Sequence, residues 1–305
     1  MSVSVRLPVG AELQACRMLL PEIAGDPSWS DLRIATVGSP AQVVGAVATM
    51  PVIDRDGTVA TRLALRIARP FRRRGLGRAI VEAIAAEARD ARRRLIAQVD
   101  SHPSLGTSPE ATPFLAACGF RLDERLLSHR ADYATARDRI VALYRRLQSR
   151  GAIPPSARVV PLGEVAIDRL VELHVALIGG TFAGVAALLR ARTAAGVDDD
   201  SVVLTVDGRP EGLFLTNYRE RTVIVTTQLI SREFQSSVGT SGWPTLMMMA
   251  EAFSRERRLD GLPESARPLD LRFACRESNL QTIGLARRLD ATVERTAEVF
   301  GRATR

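Results

Sequence analysis

Apolar positions along the first half of the chain alternate between two rhythms. VSVRLP (3–8) reads as a short strand, and Ala11 to Leu20 carries apolar residues at helical spacing. LRIATVG (32–38) and QVVGAVATMPVI (42–53) are valine-rich and separated by Ser39-Pro40-Ala41, the pattern of a hairpin. Asp54-Arg55-Asp56-Gly57 is a second turn signal, and TVATRLALRIA (58–68) the next strand, so three strands form an antiparallel meander. RPFRRRGLGR follows, then AIVEAIAAEARDARRR (79–94), a helix with apolar residues at 80, 81, 84, 85 and 88. LIAQVD (95–100) is a strand, PEATPFLAACGF (109–120) a short helix stopped by glycine, and RLDERLLSHRADY a long closing strand.

The helix ATARDRIVALYRRLQSRG (134–151) and the break Ile153-Pro154-Pro155-Ser156 have the look of a linker. The second half then repeats the order of the first. ARVVPL (157–162) is a strand, and helices cover about 164–178 and 183–195. Three strands span 201–230, with turns at Asp207-Gly208-Arg209-Pro210 and near Arg219 to Arg221. SSVGTSGWP (236–244) leads into the helix TLMMMAEAFSRERR (245–258). LDLRFAC (269–275), SNLQTIGLARRL (278–289) and ATVERTAEVF (291–300) close as strand, helix and strand. The pattern predicts an α+β protein of two like units, each a mixed, mostly antiparallel sheet flanked by helices. Their expected bounds are 1–133 and 156–305, joined by 134–155. Identity between the halves is low; the repeat lies in element order.

Composition narrows the chemistry. Apolar residues at 46% and charged residues at 25% are ordinary for a globular protein. No apolar run reaches a membrane span and the N-terminus lacks a signal-peptide pattern, so a cytoplasmic location is expected. Cys16, Cys118 and Cys275 are too few and too dispersed for a disulfide framework or a zinc site, and His102, His129 and His174 have no metal-ligand spacing; no metal is expected. The net charge of +8 comes entirely from arginine, since the chain has no lysine, which excludes a Schiff base and a P-loop lysine. The arginines are dispersed among acidic residues, which argues against nucleic acid and still favours an anionic ligand.

The sharpest local feature is Arg72-Arg73-Arg74-Gly75-Leu76-Gly77-Arg78, entered by a strand and left by a helix. Glycines let backbone approach a ligand closely. The free amides of a first helical turn bind anions, and arginines add bidentate donors to phosphate. An unpaired strand edge before the turn could bond an extended amide-bearing ligand. A dinucleotide-binding turn would need G-x-G-x-x-G after the first strand of a parallel unit; here the turn follows an antiparallel meander and the glycine spacing is short.

The stretch resembles the R/Q-x-x-G-x-G/A signature of the GCN5-related N-acetyltransferase (GNAT) superfamily, with Arg72, Gly75 and Gly77 at the signature positions. FLAACGF (114–120) is similar to the family's closing helix, and SNLQTIGLARRL to a variant of it, so the chain resembles a tandem GNAT. The resemblance implies acetyl-CoA or another acyl-CoA as co-substrate. Backbone at Ile67 would bind pantetheine, and the basic stretch Arg69, Arg72, Arg73, Arg74, Gly75, Leu76, Gly77 and Arg78 the pyrophosphate. It also implies direct acyl transfer to an amine, with a base for the incoming ammonium and an acid, often tyrosine, for the leaving thiolate. The expected acceptor is a small-molecule amine. The expected assembly is a monomer with pseudo-dimeric domains or a homodimer.

Departures from the family pattern matter. Leu115 stands in the tyrosine position of the first half and Ser108 in the asparagine position. In the second half Asn279 matches the asparagine, Ala286 replaces the tyrosine and Asp290 the glycine, and the loop Gln235 to Gly242 keeps two glycines and no arginine. Candidate acid–base groups are therefore His102, His129 and Tyr133, each weighed against a purely structural role. Cys118 and Met247 to Met249 read as packing, and Glu82 and Glu87 as solvent-facing. A non-catalytic acyl-CoA-binding module is the alternative to an enzyme, and a nucleic-acid-binding protein, suggested by charge only, the third reading.

Overall fold

The structure is a computed structural model and describes residues 4–21, 29, 31–38, 42–54, 56–100, 110–195, 201–235, 242–255 and 263–303. Two compact units form, and they interleave in sequence. The first comprises Met1–Glu124, Ile178–Leu188 and Glu298–Arg305; the second comprises Arg125–Leu177 and Leu189–Ala297.

In the first unit the described elements are β1 (Ser4–Arg6), α1 (Glu12–Leu19), β2 (Asp31–Val37), β3 (Gln42–Ile53), β4 (Val59–Ile67), α2 (Leu76–Asp90), β5 (Leu95–Asp100) and α3 (Ala111–Ala117). β2 to β4 form the antiparallel meander the pattern predicts, β1 adds to β2 antiparallel, and β5 joins β4 in parallel. The Ser39-Pro40-Ala41 turn lies outside the described residues. α2 buries Leu76, Ile80, Val81, Ile84, Ala85 and Ala88, one stripe at helical spacing, against Val47, Leu63 and Leu95 of the sheet. Each of the Leu, Ile and Val side chains is worth roughly 1.5–3 kcal/mol on full burial. α1 covers the opposite face through Cys16 and Leu20 on Ile34, Ala46 and Ala48.

The chain continues with β6 (Arg121–Asp132), α4 (Tyr133–Ser149), β7 (Arg158–Pro161), α5 (Ile167–Leu177), α6 (Phe182–Ala195), β8 (Val202–Val206), β9 (Arg209–Arg219) and β10 (Thr222–Ile230), which from Arg125 on lie in the second unit apart from Ile178–Leu188. α7 (Arg232–Gln235), α8 (Trp243–Arg255), β11 (Asp270–Arg276), α9 (Leu280–Arg288) and β12 (Thr292–Arg302) complete the chain. The strand order here is β6-β11-β10-β9-β8-β7. α4 and α8 pack Ile140, Leu147 and Met248 onto Val202, Phe214 and Leu271.

Both closing strands leave the half they were expected to close. Leu126 to Asp132 of β6 pair with Arg276 to Asp270 of β11, reinforced by the Arg130–Asp270 ion pair at 2.8 Å. The end of β12 lies beside β5 in the first unit, where Phe300 enters the core. Residues 178–188 also join the first unit: the Ile53 amide donates to the Ile178 carbonyl and the Gly180 amide to the Pro51 carbonyl, both at 2.7 Å. The compact units thus depart from the contiguous division at 134–155. The physical reason is an exchange of strands and of one helical segment, which local sequence does not encode. α4 occupies the expected linker and belongs to the second unit, where its N-cap Asp132 accepts a bond from the Thr135 amide at 2.8 Å.

The repeat survives at the level of hydrogen bonds. α3 ends with Phe120 bonded to Leu115 and Gly119 to Ala116; α9 ends with Ala291 bonded to Ala286 and Asp290 to Arg287. Both are Schellman stops, with Gly119 (φ 81°) and Asp290 (φ 53°) in the left-handed region.

Candidate functional site

β4 and β5 pair only through Thr61 to Leu63 and Leu95 to Ala97 among the described residues, and β4 runs on to Ile67. The Ala68 amide donates to the Val44 carbonyl at 2.9 Å, one residue past the Gly45–Ile67 pair. That pattern makes Gly45–Ile67 a non-hydrogen-bonded pair, so the amide and carbonyl of Ile67 turn away from β3, and by the two-residue period so do those of Leu65. The Thr61 amide, of the same parity, donates to the Arg94 carbonyl at 2.8 Å, which fixes the direction as the β5 side. The splay therefore opens a strand edge at Leu65 and Ile67, where the Ile67 carbonyl already accepts from Arg72 Nε. Gly45 is required here, because a Cβ on it would lie 2.9 Å from the backbone carbonyl oxygen of Arg66.

The chain leaves β4 through a short turn at Arg69–Phe71. Arg73 (φ 60°) and Gly75 (φ 78°) are both left-handed, and Arg72 between the turn and Arg73 is extended. A left-handed arginine is strained, at a cost of order 1–3 kcal/mol, a kind of strain that clusters at functional sites. α2 then starts at Leu76 with Gly75 as N-cap and no capping side chain. Its first internal bond is the Ala79 amide on the Gly75 carbonyl at 3.1 Å, so the amides of Leu76, Gly77 and Arg78 are not used within the helix. Leu76 anchors the turn with its side chain in the core, while Gly75 and Arg78 are exposed. The result is a concave row of amides at the positive end of a helix, suited to an anion.

The arginine side chains are placed differently from the sequence expectation. Arg72 Nε donates to the Ile67 carbonyl at 3.0 Å, closing the turn onto the strand. Arg73 pairs with Glu110 at the start of α3. Arg74 lies over the Phe71 ring at 5.7 Å, and Arg78 donates to the Ala117 carbonyl at 2.5 Å, at the end of α3. Gly77 serves packing: a Cβ there would lie 3.0 Å and 3.1 Å from Phe114 of α3. α3 is thus clasped along the turn by Arg73, Gly77 and Arg78. Glu110 and Gly45 carried no local signal in sequence that would have singled them out, and Phe114 was marked only as part of FLAACGF. Arg69 opens the turn and is exposed.

The candidate acid–base groups are dispersed. His102 and Ser108 lie outside the described residues. His129 is buried in the second unit, stacked on Phe273 at 5.2 Å with Nε2 3.6 Å from Cys275 Sγ. Burial holds its pKa below the ordinary value, so the imidazole is neutral. Tyr133 is also buried in the second unit, edge-on to Phe253 at 5.5 Å. Leu115 is a core residue of the first unit, and Asn279 is the N-cap of α9, accepting from the Thr282 amide at 3.0 Å. All three cysteines are buried, and burial raises their thiol pKa values, that of Cys16 to about 11. Glu82 and Glu87 face solvent, as expected, and pair there with Arg302 and Arg33. Among the described residues no cluster of three or more His, Cys, Asp or Glu side chains could hold a metal, and no helix is long and apolar enough to cross a membrane.

No protein-family model and no curated protein matches the sequence. Solved structures do match. A tandem GNAT protein from the clavulanic acid biosynthesis pathway is 18% identical with a TM-score of 0.54, covering 100% of this chain and 99% of its own. A GCN5-related N-acetyltransferase from Anabaena variabilis is 11% identical with a TM-score of 0.60, over 100% of this chain and 73% of its own. One from Sphaerobacter thermophilus is 12% identical with a TM-score of 0.50, over 99% and 96%. Such identities speak to the fold alone, and the fold of this chain is that of a tandem GNAT.

Proposed function

We propose that the chain is an acyl-CoA-dependent N-acyltransferase that moves an acetyl group from acetyl-CoA to the primary amine of a small molecule. The reading rests on one juxtaposition: the open edge of β4 at Leu65 and Ile67 runs directly into an uncapped helix N-terminus. The edge can bond the amides of an extended pantetheine arm, and the amides of Arg73 to Arg78 can take the pyrophosphate. The residues fit such a ligand, since no side chain caps α2 and Gly75 leaves open space where a Cβ would stand. When bound, the thioester supplies an activated acyl group. A β4 amide left free at the splay would hold the thioester carbonyl and stabilise the oxyanion that forms on attack. Arg72 contributes by closing the turn on Ile67, and Arg73 and Arg78 by fixing α3. The cradle belongs to the first unit, in the cytosol of the cell.

Calorimetric titration with acetyl-CoA tests this: binding is expected, and a flat titration removes the proposal. A second reading, a non-catalytic acyl-CoA-binding module, is favoured by Leu115, a core side chain where the resemblance places the acid. The two separate on turnover. Amine-dependent release of free thiol from acetyl-CoA, measured across a broad amine panel, supports the enzyme; binding without release supports the module.

A further inference from the structure

The end of β12 is built into the first unit by three successive residues. Phe300 is 4% exposed and packs in the core that holds Ile80, Ile84 and Leu115. Gly301 makes room for a charge cluster, since a Cβ there would overlap the Arg94 guanidinium and the Asp123 carboxylate. Arg94 also pairs with the buried Asp54 at 2.9 Å. Arg302 then grips Glu82 with both terminal nitrogens, at 3.0 Å and 2.9 Å, and its Nε lies 3.8 Å from where a Gly119 Cβ would stand.

Glu82 is in the second turn of α2 and Gly119 is the left-handed stop of α3. One guanidinium from the last strand therefore binds α2 through Glu82 and lies beside the glycine that stops α3. This matters because the helix start has glycine as N-cap without a side-chain bond: Arg72 on Ile67 and Leu76 in the core hold the turn from the strand side, and Gly77 on Phe114 and Arg78 on Ala117 hold it through α3. We propose that Arg302 is a positioning residue of the coenzyme cradle, acting through Glu82 to hold the N-terminal amides of α2 in line with the pyrophosphate. The side chain of Arg302 is 17% exposed and that of Glu82 50%, and it is the bidentate geometry that distinguishes the contact from a loose surface pair. The Glu82 carboxyl is held below its ordinary pKa chiefly by this bond, so it stays charged at neutral pH. The inference rests on the acyl-CoA reading above.

The test uses the full chain. Arg302→Ala and the milder Arg302→Gln are expected to weaken CoA binding about tenfold, while affinity for pantetheine, which lacks the pyrophosphate, stays within about twofold by ligand-observed NMR. The charge swap Glu82→Arg with Arg302→Glu is expected to restore most of the CoA affinity. CoA bound by both single variants as by wild type overturns the proposal. Equal loss of CoA and pantetheine with a lowered melting temperature also overturns it, by showing a merely structural role. Wild-type chain that binds no CoA removes the underlying reading instead, and the proposal with it.

Discussion

The turn before α2 and the stretch before α8 hold the same place in the two halves, and their scaffolds agree. β4 pairs with β5, and β10 with β11, in parallel through three residues each, and both longer strands run on past the last pair. The side chains part company at the helix starts. α2 opens Leu76-Gly77-Arg78 with amides unused within the helix and the turn exposed. α8 opens Trp243-Pro244-Thr245: Trp243 is 2% exposed and edge-on to Phe234 at 5.7 Å, Pro244 has no amide proton, and Thr245 accepts a bond from Gln228 at 2.8 Å. α8 is also buried on nearly every side through Met247, Met248, Met249 and Phe253, a core helix where α2 is amphipathic. β10 is interrupted by a bulge at Thr226, whose hydroxyl meets Arg192 at 3.2 Å, while β4 keeps its register throughout. Gly239 lies outside the described residues. The two halves thus share a parallel three-residue pairing plan and differ in whether side chains fill the helix start that follows it.

The largest expected effect on this comparison comes from Gly77→Glu. It sets a carboxylate in the anion cradle and a Cβ against Phe114, and should abolish measurable acetyl-CoA binding by calorimetry, a loss of at least about a hundredfold. Gly242→Ala, where a Cβ meets nothing within 4 Å, should leave that affinity within about twofold despite the positive φ of 62°. Comparable loss from Gly242→Ala would break the contrast. Next, the calorimetric stoichiometry should be one acetyl-CoA per chain; two equivalents would mean that the α8 end also binds.

Smaller effects sharpen the picture. Arg72→Ala removes the bond to the Ile67 carbonyl and should weaken acetyl-CoA binding about fivefold to tenfold, corresponding to roughly 1–1.5 kcal/mol for one hydrogen bond. His129 supplies the smallest effect and belongs to the second unit. Its folded pKa is depressed by burial, so the unfolded chain binds the proton more readily. Its stability contribution is complete above about pH 6.5, the ordinary histidine value, and is lost progressively as pH falls below it. Thermal melts between pH 7.5 and 5 should show that decline reduced in His129→Leu; an unchanged slope would assign the acid sensitivity elsewhere.

The sequence by itself determined the elements and the turn. Apolar spacing of 2 and of 3.6 marks β2 to β5 and α2 because burial of one face is decided residue by residue. Gly75 and Gly77 were legible as special because few residues tolerate a left-handed N-cap or a Cβ-free contact. Tertiary structure alone decided where the closing strands went. A strand's edge groups accept any partner of matching register, so nothing local in RLDERLLSHRAD directs it to β11, or sends Phe300 to the first unit. It also decided the roles of the arginines. All read alike as phosphate donors, yet Arg72, Arg73 and Arg78 spend donors on Ile67, Glu110 and Ala117, because a guanidinium binds whichever acceptor the fold brings within reach. The open edge at Leu65 and Ile67 is likewise a property of pairing register, which depends on two strands at once and is written in neither alone.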